Sequence, residues 1–162
     1  MTEQRLYRIV DAVKRAVRAS SEKRESCFNL TTAGFLIDAV ISKAKTMGTY
    51  VTVAVADANG RILACKSMSS TEDEHLVTAA NKAFTAAVLK MSTGQVGQLS
   101  ADGKALCGIQ KTNNGRIETS EGGNPILSCD RVVGGVGVSG ADEQTNLQLS
   151  IYASSLVDEI IK

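Results

Sequence analysis

The sequence is poor in aromatic residues, proline and histidine, and it carries almost no net charge. Its 162 residues include no tryptophan, one proline and one histidine, and aromatic residues make up only 4% of the chain. Lysine and arginine number 18 against 17 aspartate and glutamate, so the formal net charge is only +1. Because phosphate neutralisation needs a concentrated basic surface, the composition does not predict a nucleic-acid partner.

The cysteine spacing and the lack of long apolar runs exclude further classes. The four cysteines stand at positions 27, 65, 107 and 129 and form no C-x-x-C pair, unlike a zinc ribbon or a thioredoxin motif. No run approaches the roughly 18 apolar residues of a membrane span, and the N-terminus lacks the apolar core of a secretory signal. The sequence therefore predicts buried free thiols in a reducing compartment, no membrane span and a cytoplasmic location.

The chain begins with a strong helical periodicity. Over residues 3–19, apolar side chains recur on one helical face, and basic side chains fill the other. The run SSEKRES over residues 20–26 has no apolar residue, so we predict a linker there. We therefore divide the chain into an amphipathic helix with its linker, residues 1–26, and one domain, residues 27–162. The apolar face of this helix comprises Leu6, Ile9, Val10, Val13 and Val17.

The first half of the domain shows a helix, a hairpin and a second helix. Periodicity predicts the first helix over residues 31–47 and strands over 50–57 and 62–68. The pair Asn59-Gly60 between the strands suits a type I′ turn. A capping-box spacing at residues 71–74 opens the second helix, whose alanines imply close approach to another element. Its predicted inner face is Leu76, Ala79, Ala80, Ala83, Phe84, Ala87, Val88 and Met91.

The second half repeats the helix and hairpin order. We predict a short helix over residues 95–99, a turn-rich loop over 107–123, strands over 126–129 and 132–138, and a closing helix over 141–161. Strands joined by hairpins, with helices between the hairpins, favour an α+β fold with an antiparallel sheet. The closing helix is expected to turn Leu147, Ile151, Leu156, Val157 and Ile160 inward.

Residues 135–140 spell G-x-G-x-x-G between a predicted strand and a predicted helix, which is the position of a dinucleotide fingerprint. Only 22 residues follow Gly140, and they read as one helix, so the second parallel strand of such a unit has no room. We interpret these glycines as small residues of a strand against which another backbone packs, although an anion could bind near Ser139.

His75 and the pair Lys82 and Thr85 are the candidate functional side chains. His75 follows three acidic residues, so it is either a solvated surface residue or an axial haem ligand, completed by another side chain or a second subunit. Lys82 and Thr85 are three residues apart, so their polar tips are expected to emerge on one side of the alanine-rich helix. Alternatively, Lys82 extends along the surface to reach solvent and Thr85 bonds to the preceding turn.

A set of short motifs, taken in chain order, resembles the GlcG/HbpS-like family, which includes the PduO C-terminal domain and is often described as haem-degrading. The resemblance covers about residues 29 to 160. It implies a profilin-like α+β fold, with an antiparallel sheet flanked by helices, and a homo-oligomer ranging from a dimer to an octamer. The motifs are VAVADANGRIL (53–63), NKAFTAA (81–87), GGNPI (122–126) and GGVGVSG (134–140), followed by Asp142-Glu143-Gln144.

The resemblance also implies a ligand and the residues that hold it. Members of the family are described as binding haem, some also corrinoids, and one branch as accessory partners of a redox-sensing kinase. In this chain, His75 is the candidate haem ligand. The residues that would border the family's pocket are Lys82, Thr85, Gly122, Gly123, Asn124 and Pro125.

The segment outside the family core resembles the targeting peptides of bacterial microcompartment cargo. Such peptides place the apolar stripe of a helix on a shell protein, which residues 3–19 would do here. The helix could also pack on its own domain, on a partner subunit or on a membrane surface. Two functions follow: a homo-oligomer that binds a tetrapyrrole or other small ligand, in the cytoplasm or a microcompartment, or a non-enzymatic scaffold or redox-sensing accessory protein. An enzyme that acts on a small molecule through Lys82 or a thiol is a third alternative.

Overall fold

A computed structural model describes residues 10–19, 28–69 and 71–160. Residues 10–19 form helix α1, which confirms that part of the predicted N-terminal helix. Residues 3–9 and the predicted linker 20–26 lie outside the described residues. Every described residue of α1 is exposed, including the three valines of its predicted apolar face. In the described ranges, no helix combines the length and the apolarity that crossing a bilayer requires.

The remaining elements build a single antiparallel sheet with helices on both faces. Its described strands lie in the order β2-β1-β4-β3, and each pairs with its neighbour in antiparallel fashion. The predicted α+β fold with an antiparallel sheet is therefore confirmed. The elements are α2 (Leu30–Thr46), β1 (Thr52–Asp57), β2 (Ile62–Ser67), α3 (Glu74–Leu89), α4 (Thr93–Ser100), β3 (Gly123–Ser128), β4 (Arg131–Ser139), α5 (Glu143–Ser155) and α6 (Val157–Ile160).

The two faces of the sheet differ in the size of their side chains. Successive residues of a strand point to opposite faces, so Val53 and Val55 pack under α2 and α5, whereas Ala54 and Ala56 face α3. The valine face joins the large aliphatic core. The alanine face admits α3 at close range, as its run of alanines predicts. The buried aliphatic side chains of the larger core include Leu36, Ile37, Val40, Val136, Val138 and Leu149.

The glycines of β4 complete the small-residue face beneath α3. Gly137 pairs with Ala54, and Gly135 pairs with Ala56, so the four residues share one face. A Cβ on Gly137 would meet the backbone of Ala79, and one on Gly135 would meet the backbone of Ala83. The interpretation of this motif as packing surface is confirmed. Since every strand pair of the described sheet is antiparallel, the motif does not open a dinucleotide-binding unit.

The predicted type I′ turn between β1 and β2 is wrong. Gly60 has a φ of 79°, whereas Asn59 is not among the residues with positive φ, and a type I′ turn needs both. The Asp57 carboxylate instead accepts the backbone N–H groups of Asn59 and Arg61, each at 2.9 Å, and selects a different turn. The type I′ pattern occurs between β3 and β4, where Cys129 and Asp130 both have positive φ.

The predicted capping box at the start of α3 is also wrong. Helix α3 begins at Glu74, and its N-cap residue, Asp73, makes no capping hydrogen bond. The Thr71 hydroxyl donates to the carbonyl of Met68, and so belongs to the preceding turn. A capping box does form in the described chain at α4, where Ser92 and Gln95 bond to each other's backbone.

Two of the predicted helix faces need correction. In α3, Leu76 is 49% exposed and Val88 is 39% exposed, since the flat surface of alanine and glycine accepts only the small side chains. In α5, Ile151 is 53% exposed and Leu147 is half-buried. The inward face of α5 consists instead of Asn146, Leu149, Ser150 and Ala153.

The borders of the second hairpin also differ from the prediction. Strand β3 begins at Gly123, three positions before the predicted start at residue 126, because the turn-rich loop already pairs with β4 there. The loop itself is irregular, as predicted, apart from two short 3₁₀ turns, Ile109–Lys111 and Asn113–Gly115. Its cysteine, Cys107, and Cys129 of the following hairpin are exposed free thiols, so the prediction of buried thiols is wrong for both.

Candidate functional site

The register of the sheet gathers four chain segments at one of its ends. Thr52, at the start of β1, pairs with Ser67 at the end of β2 and with Ser139 at the end of β4. The loops that enter or leave these strands therefore meet, together with the first turn of α3. That turn carries His75, the single histidine of the chain.

The side chain of His75 is hydrogen-bonded to the last residue of β4. Its Nδ1 lies 3.0 Å from the Oγ of Ser139, which is a buried serine. The imidazole is half-buried. This hydrogen bond fixes the ring and leaves Nε2 as the nitrogen for a ligand.

A cavity of about 330 Å³ adjoins the imidazole. It lies toward the lower end of the roughly 300–1,000 Å³ that small-molecule sites occupy, and it is open to solvent on one side. Hydroxyl and carboxylate groups contribute much of its wall. The lining consists of Gly48, Thr49, Tyr50, Thr71, Glu72, His75 and Gly140.

Two carboxylates accompany the imidazole. One ligand atom each of Glu72, Glu74 and His75 lies within 4.8 Å of the others, although both glutamates are exposed. One nitrogen and two oxygen donors at this spacing are a set that a divalent transition cation can use. His75, the predicted metal ligand, thus lies in a polar and negatively charged environment beside the cavity.

Lys82 lies two helical turns beyond His75 and is 3% exposed. Its Nζ donates to the carbonyl of Glu121 at 2.7 Å and to that of Val138 at 3.3 Å. Burial lowers the pKa of this ammonium below its ordinary value, although the carboxylates of Glu118, Glu143 and Glu121 act in the opposite direction. The expectation that its tip leaves α3 on the same side as Thr85 holds, whereas the alternative, in which Lys82 extends along the surface to reach solvent, is wrong.

Thr85 is fully buried and fastens the same part of the loop. Its hydroxyl donates to the carbonyl of Arg116 at 3.3 Å and accepts the N–H of Glu118 at 3.0 Å. The alternative prediction, a bond from Thr85 to the preceding turn of α3, is therefore wrong, since both bonds are tertiary. Together, Lys82 and Thr85 tie the segment 116–122 across α3, which explains why their side chains are turned inward.

The glycine turn lies against Lys82. Gly122 has a φ of 115°, and a Cβ there would meet the carbonyl of Val138. A Cβ on Gly123 would meet Thr93 and the carbonyl of Lys82. Both glycines permit a close backbone approach. The role of Lys82, Thr85 and the glycines in bordering a ligand stays a prediction.

Asn124 and Pro125 point their bonding groups toward α5. The amide of Asn124 donates to the hydroxyl of Ser150 at 2.8 Å, and the carbonyl of Pro125 accepts the hydroxyl of Ser154 at 3.1 Å. The structure therefore brings Lys82, Thr85, Gly122 and Gly123 together and directs the next two residues elsewhere. His75 is the one sequence-predicted site residue that lines the cavity.

The other residues around the cavity were missed by sequence reasoning. Tyr50 precedes Gly140 by 90 residues and Thr71 precedes it by 69, and only the strand register brings them together. The glycines at 48 and 140 both have positive φ, which marks turns at the ends of neighbouring elements. That signal identifies the turns but does not show that they are adjacent.

Glu121 was also missed. Its carboxylate lies over Gly94 at the start of α4, and its Oε2 is buried without a hydrogen-bond partner in the described part of the chain. A carboxylate at a helix N-terminus is stabilised by the helix dipole, which offsets part of its desolvation cost.

The sequence and the fold are similar to those of known proteins. A family model described as "Haem degrading protein HbpS-like" matches residues 28–153. An uncharacterised 15.0 kDa protein from the dhaT-dhaS intergenic region of Citrobacter freundii is 32% identical over 135 residues, which is 81% of this chain and 92% of that protein.

Solved structures give the same assignment. Klebsiella pneumoniae protein ORFY superimposes with a TM-score of 0.77 at 30% identity, covering 80% of this chain and 90% of that one. A structure described as a PduOC:haem complex gives a TM-score of 0.73 at 24% identity, covering 77% and 91%. The likeness to the PduOC:haem complex supports the fold alone, whereas the likeness to ORFY also supports membership of the same family. The chain therefore belongs to the HbpS-like family.

Proposed function

We propose that this chain binds a haem-like tetrapyrrole over the cavity beside His75, with the imidazole as an axial ligand. The family to which the chain belongs is described as haem-degrading, and a relative of the same fold is described as a haem complex. The observation that carries the proposal is the placement of His75: its Nδ1 is bonded to Ser139, and the residue lines an open cavity.

The residues present fit the iron of such a group. A neutral imidazole whose second nitrogen is already hydrogen-bonded is the usual arrangement of a metal-binding histidine. Bound haem would supply redox and oxygen chemistry, and the chain would orient it through His75. Since the cavity is open, part of a macrocycle would remain uncovered by this subunit.

A second copy of the chain is our proposed cover for the exposed part. Large apolar side chains lie on the surface of the domain, and a homo-oligomer would bury some of them. Those more than half exposed in the described domain are Leu30 at 63%, Phe35 at 62%, Val77 at 58% and Ile151 at 53%, with Tyr50 of the cavity wall at 52%. Dimers to octamers are the range that the family resemblance implies.

Titration with haemin tests the proposed function. We expect saturable binding with a simple stoichiometry per subunit, seen as a shifted and intensified Soret band, and light scattering on the same sample would count the subunits. Hydroxocobalamin, titrated in parallel, examines a corrinoid as the alternative ligand. If the Soret absorbance rises linearly with haemin, without saturation and by the same amount as with a protein that does not bind haem, haem binding is refuted.

A second candidate function, docking to a partner, is favoured by α1. Val10, Val13 and Val17 lie at the spacing of one helical face and are 43%, 56% and 51% exposed. We propose that this face docks in a groove of another protein, such as the shell of a bacterial microcompartment, which would place the chain inside that compartment. A non-enzymatic scaffold or redox-sensing accessory protein would use the same surface.

Substitutions on α1 separate docking from ligand binding. Val13→Asp should abolish co-purification with a microcompartment shell protein because it places a charge in the apolar face, while haemin binding should be unchanged. Lys14→Gln is the matched control and should leave both properties intact. Equal co-purification of Val13→Asp and the parent chain would exclude docking through this face.

A further inference from the structure

A second cavity adjoins the first on the far side of Tyr50. It measures about 480 Å³ and lies between the end of α2 and the end of β2. Tyr50 lines both cavities, so the two form neighbouring parts of one surface depression. The residues that characterise the second cavity are Ile41, Lys45, Tyr50, Lys66 and Met68.

The second cavity differs from the first in its chemistry. Ile41 and Met68 supply apolar surface, and Met68 is fixed because its sulfur accepts the N–H of Val51 at 3.4 Å. Two lysines supply positive charge. The cavity beside His75 has a carboxylate and hydroxyl groups instead, so the depression has an imidazole at one end and ammonium groups over apolar surface at the other.

The two lysines are not equivalent. The Nζ of Lys66 lies 2.7 Å from the Oδ1 of Asp38, so its charge is already compensated. Lys45 forms no ion pair within the parts of the chain that are described. It lies in the last turn of α2, where a cation also interacts favourably with the helix dipole. An anionic ligand would therefore find its main charged partner at Lys45.

We infer that the second cavity recognises the carboxylate-bearing edge of the tetrapyrrole, with Lys45 as the residue that determines specificity for an acidic porphyrin. This inference rests on the proposed function and adds its orientation: the ring crosses Tyr50, with the metal toward His75 and the carboxylates toward Lys45. Ile41 and Met68 contact the apolar ring, since thioether and aliphatic groups pack well on aromatic surfaces. An ammonium–carboxylate bond would fix one edge of the ligand.

The test uses porphyrins that differ in charge and in metal. Haemin, metal-free protoporphyrin IX and protoporphyrin IX dimethyl ester are titrated into the parent chain, Lys45→Gln and Lys43→Gln. Lys43 lies in the same last turn of α2, but its ammonium is over the ring of Tyr152 and not at the cavity. Lys43→Gln is therefore the matched control for the loss of a charge. We expect Lys45→Gln to weaken haemin and protoporphyrin IX by about three- to tenfold, as suits a partly exposed ion pair. The dimethyl ester should bind the parent chain and Lys45→Gln equally.

The outcomes separate this inference from the proposed function. If protoporphyrin IX binds in a Lys45-dependent manner while haemin shows no histidine ligation, the carboxylate cavity stands and the role of His75 fails. Two results would overturn the inference while haem binding stands. In one, haemin binds and Lys45→Gln weakens the binding of protoporphyrin IX and of its dimethyl ester equally. In the other, Lys45→Gln weakens binding no more than Lys43→Gln does. Failure of all three porphyrins to bind the parent chain overturns both.

Discussion

Gly137→Ala should lower the free energy of unfolding by about 3 kcal/mol, near the upper end of the usual cost of overpacking. A Cβ at this position would meet the carbonyl oxygen of Ala79 and the amide nitrogen of Ala83, with the Cβ of Lys82 also close. Backbone atoms of a helix cannot rotate away as a flexible side chain can. The helix α3 would have to move off the sheet, which would also disturb the hydrogen bonds of Lys82.

Gly34→Ala is the control for this substitution. Gly34 lies inside α2, and a Cβ there would have no neighbour within 4 Å. Alanine should therefore stabilise the chain by about 0.5–1 kcal/mol through helix propensity. Urea unfolding measures both variants. Equal stability of Gly137→Ala and the parent chain would show that α3 does not pack on the glycine face.

His75→Ala should weaken haemin binding by at least about tenfold, because it removes the nitrogen ligand of the iron. The change should also alter the shape of the Soret and visible bands, as a different axial ligand or water takes the position. The substitution leaves the core intact, since the imidazole is half-buried and its hydrogen bond among the described residues goes to the hydroxyl of Ser139.

Two further variants interpret that result. Ser139→Ala retains the imidazole but removes the partner of Nδ1, so it should weaken binding less than His75→Ala does. Asp73→Asn, on the same exposed turn, is the control for a change of surface charge, because the Asp73 side chain makes no capping hydrogen bond. Haemin spectra and affinities that are identical in His75→Ala and the parent chain would exclude His75 as the ligand.

The sequence was sufficient for the architecture where a residue type has a single structural use. The alternation of β-branched and small residues over 50–57 predicted a strand there, and the glycines at 135 and 137 predicted a backbone packed on β4. Both predictions depend on local pattern and on side-chain size. The turn at Asn59-Gly60 was mispredicted because the carboxylate of Asp57 organises the loop, and propensity of the turn pair alone does not include that bond.

The candidate site was less predictable because it depends on strand register. The spacing of Lys82 and Thr85 correctly places them on one side of α3, but spacing alone does not show that the segment 116–122 covers that side. Likewise, Tyr50 and Gly140 meet His75 only because Thr52 pairs with Ser139. A lone histidine beside acids reads as a surface residue until those pairings are known.

The most direct test of the account is a crystal structure of the chain grown with haemin, with the iron located by its anomalous scattering. The account predicts one iron peak per bound haem at ligation distance from Nε2 of His75, with the carboxylate edge of the macrocycle toward Lys45. An iron peak at any other side chain of the subunit, with the cavity beside His75 empty, would contradict it.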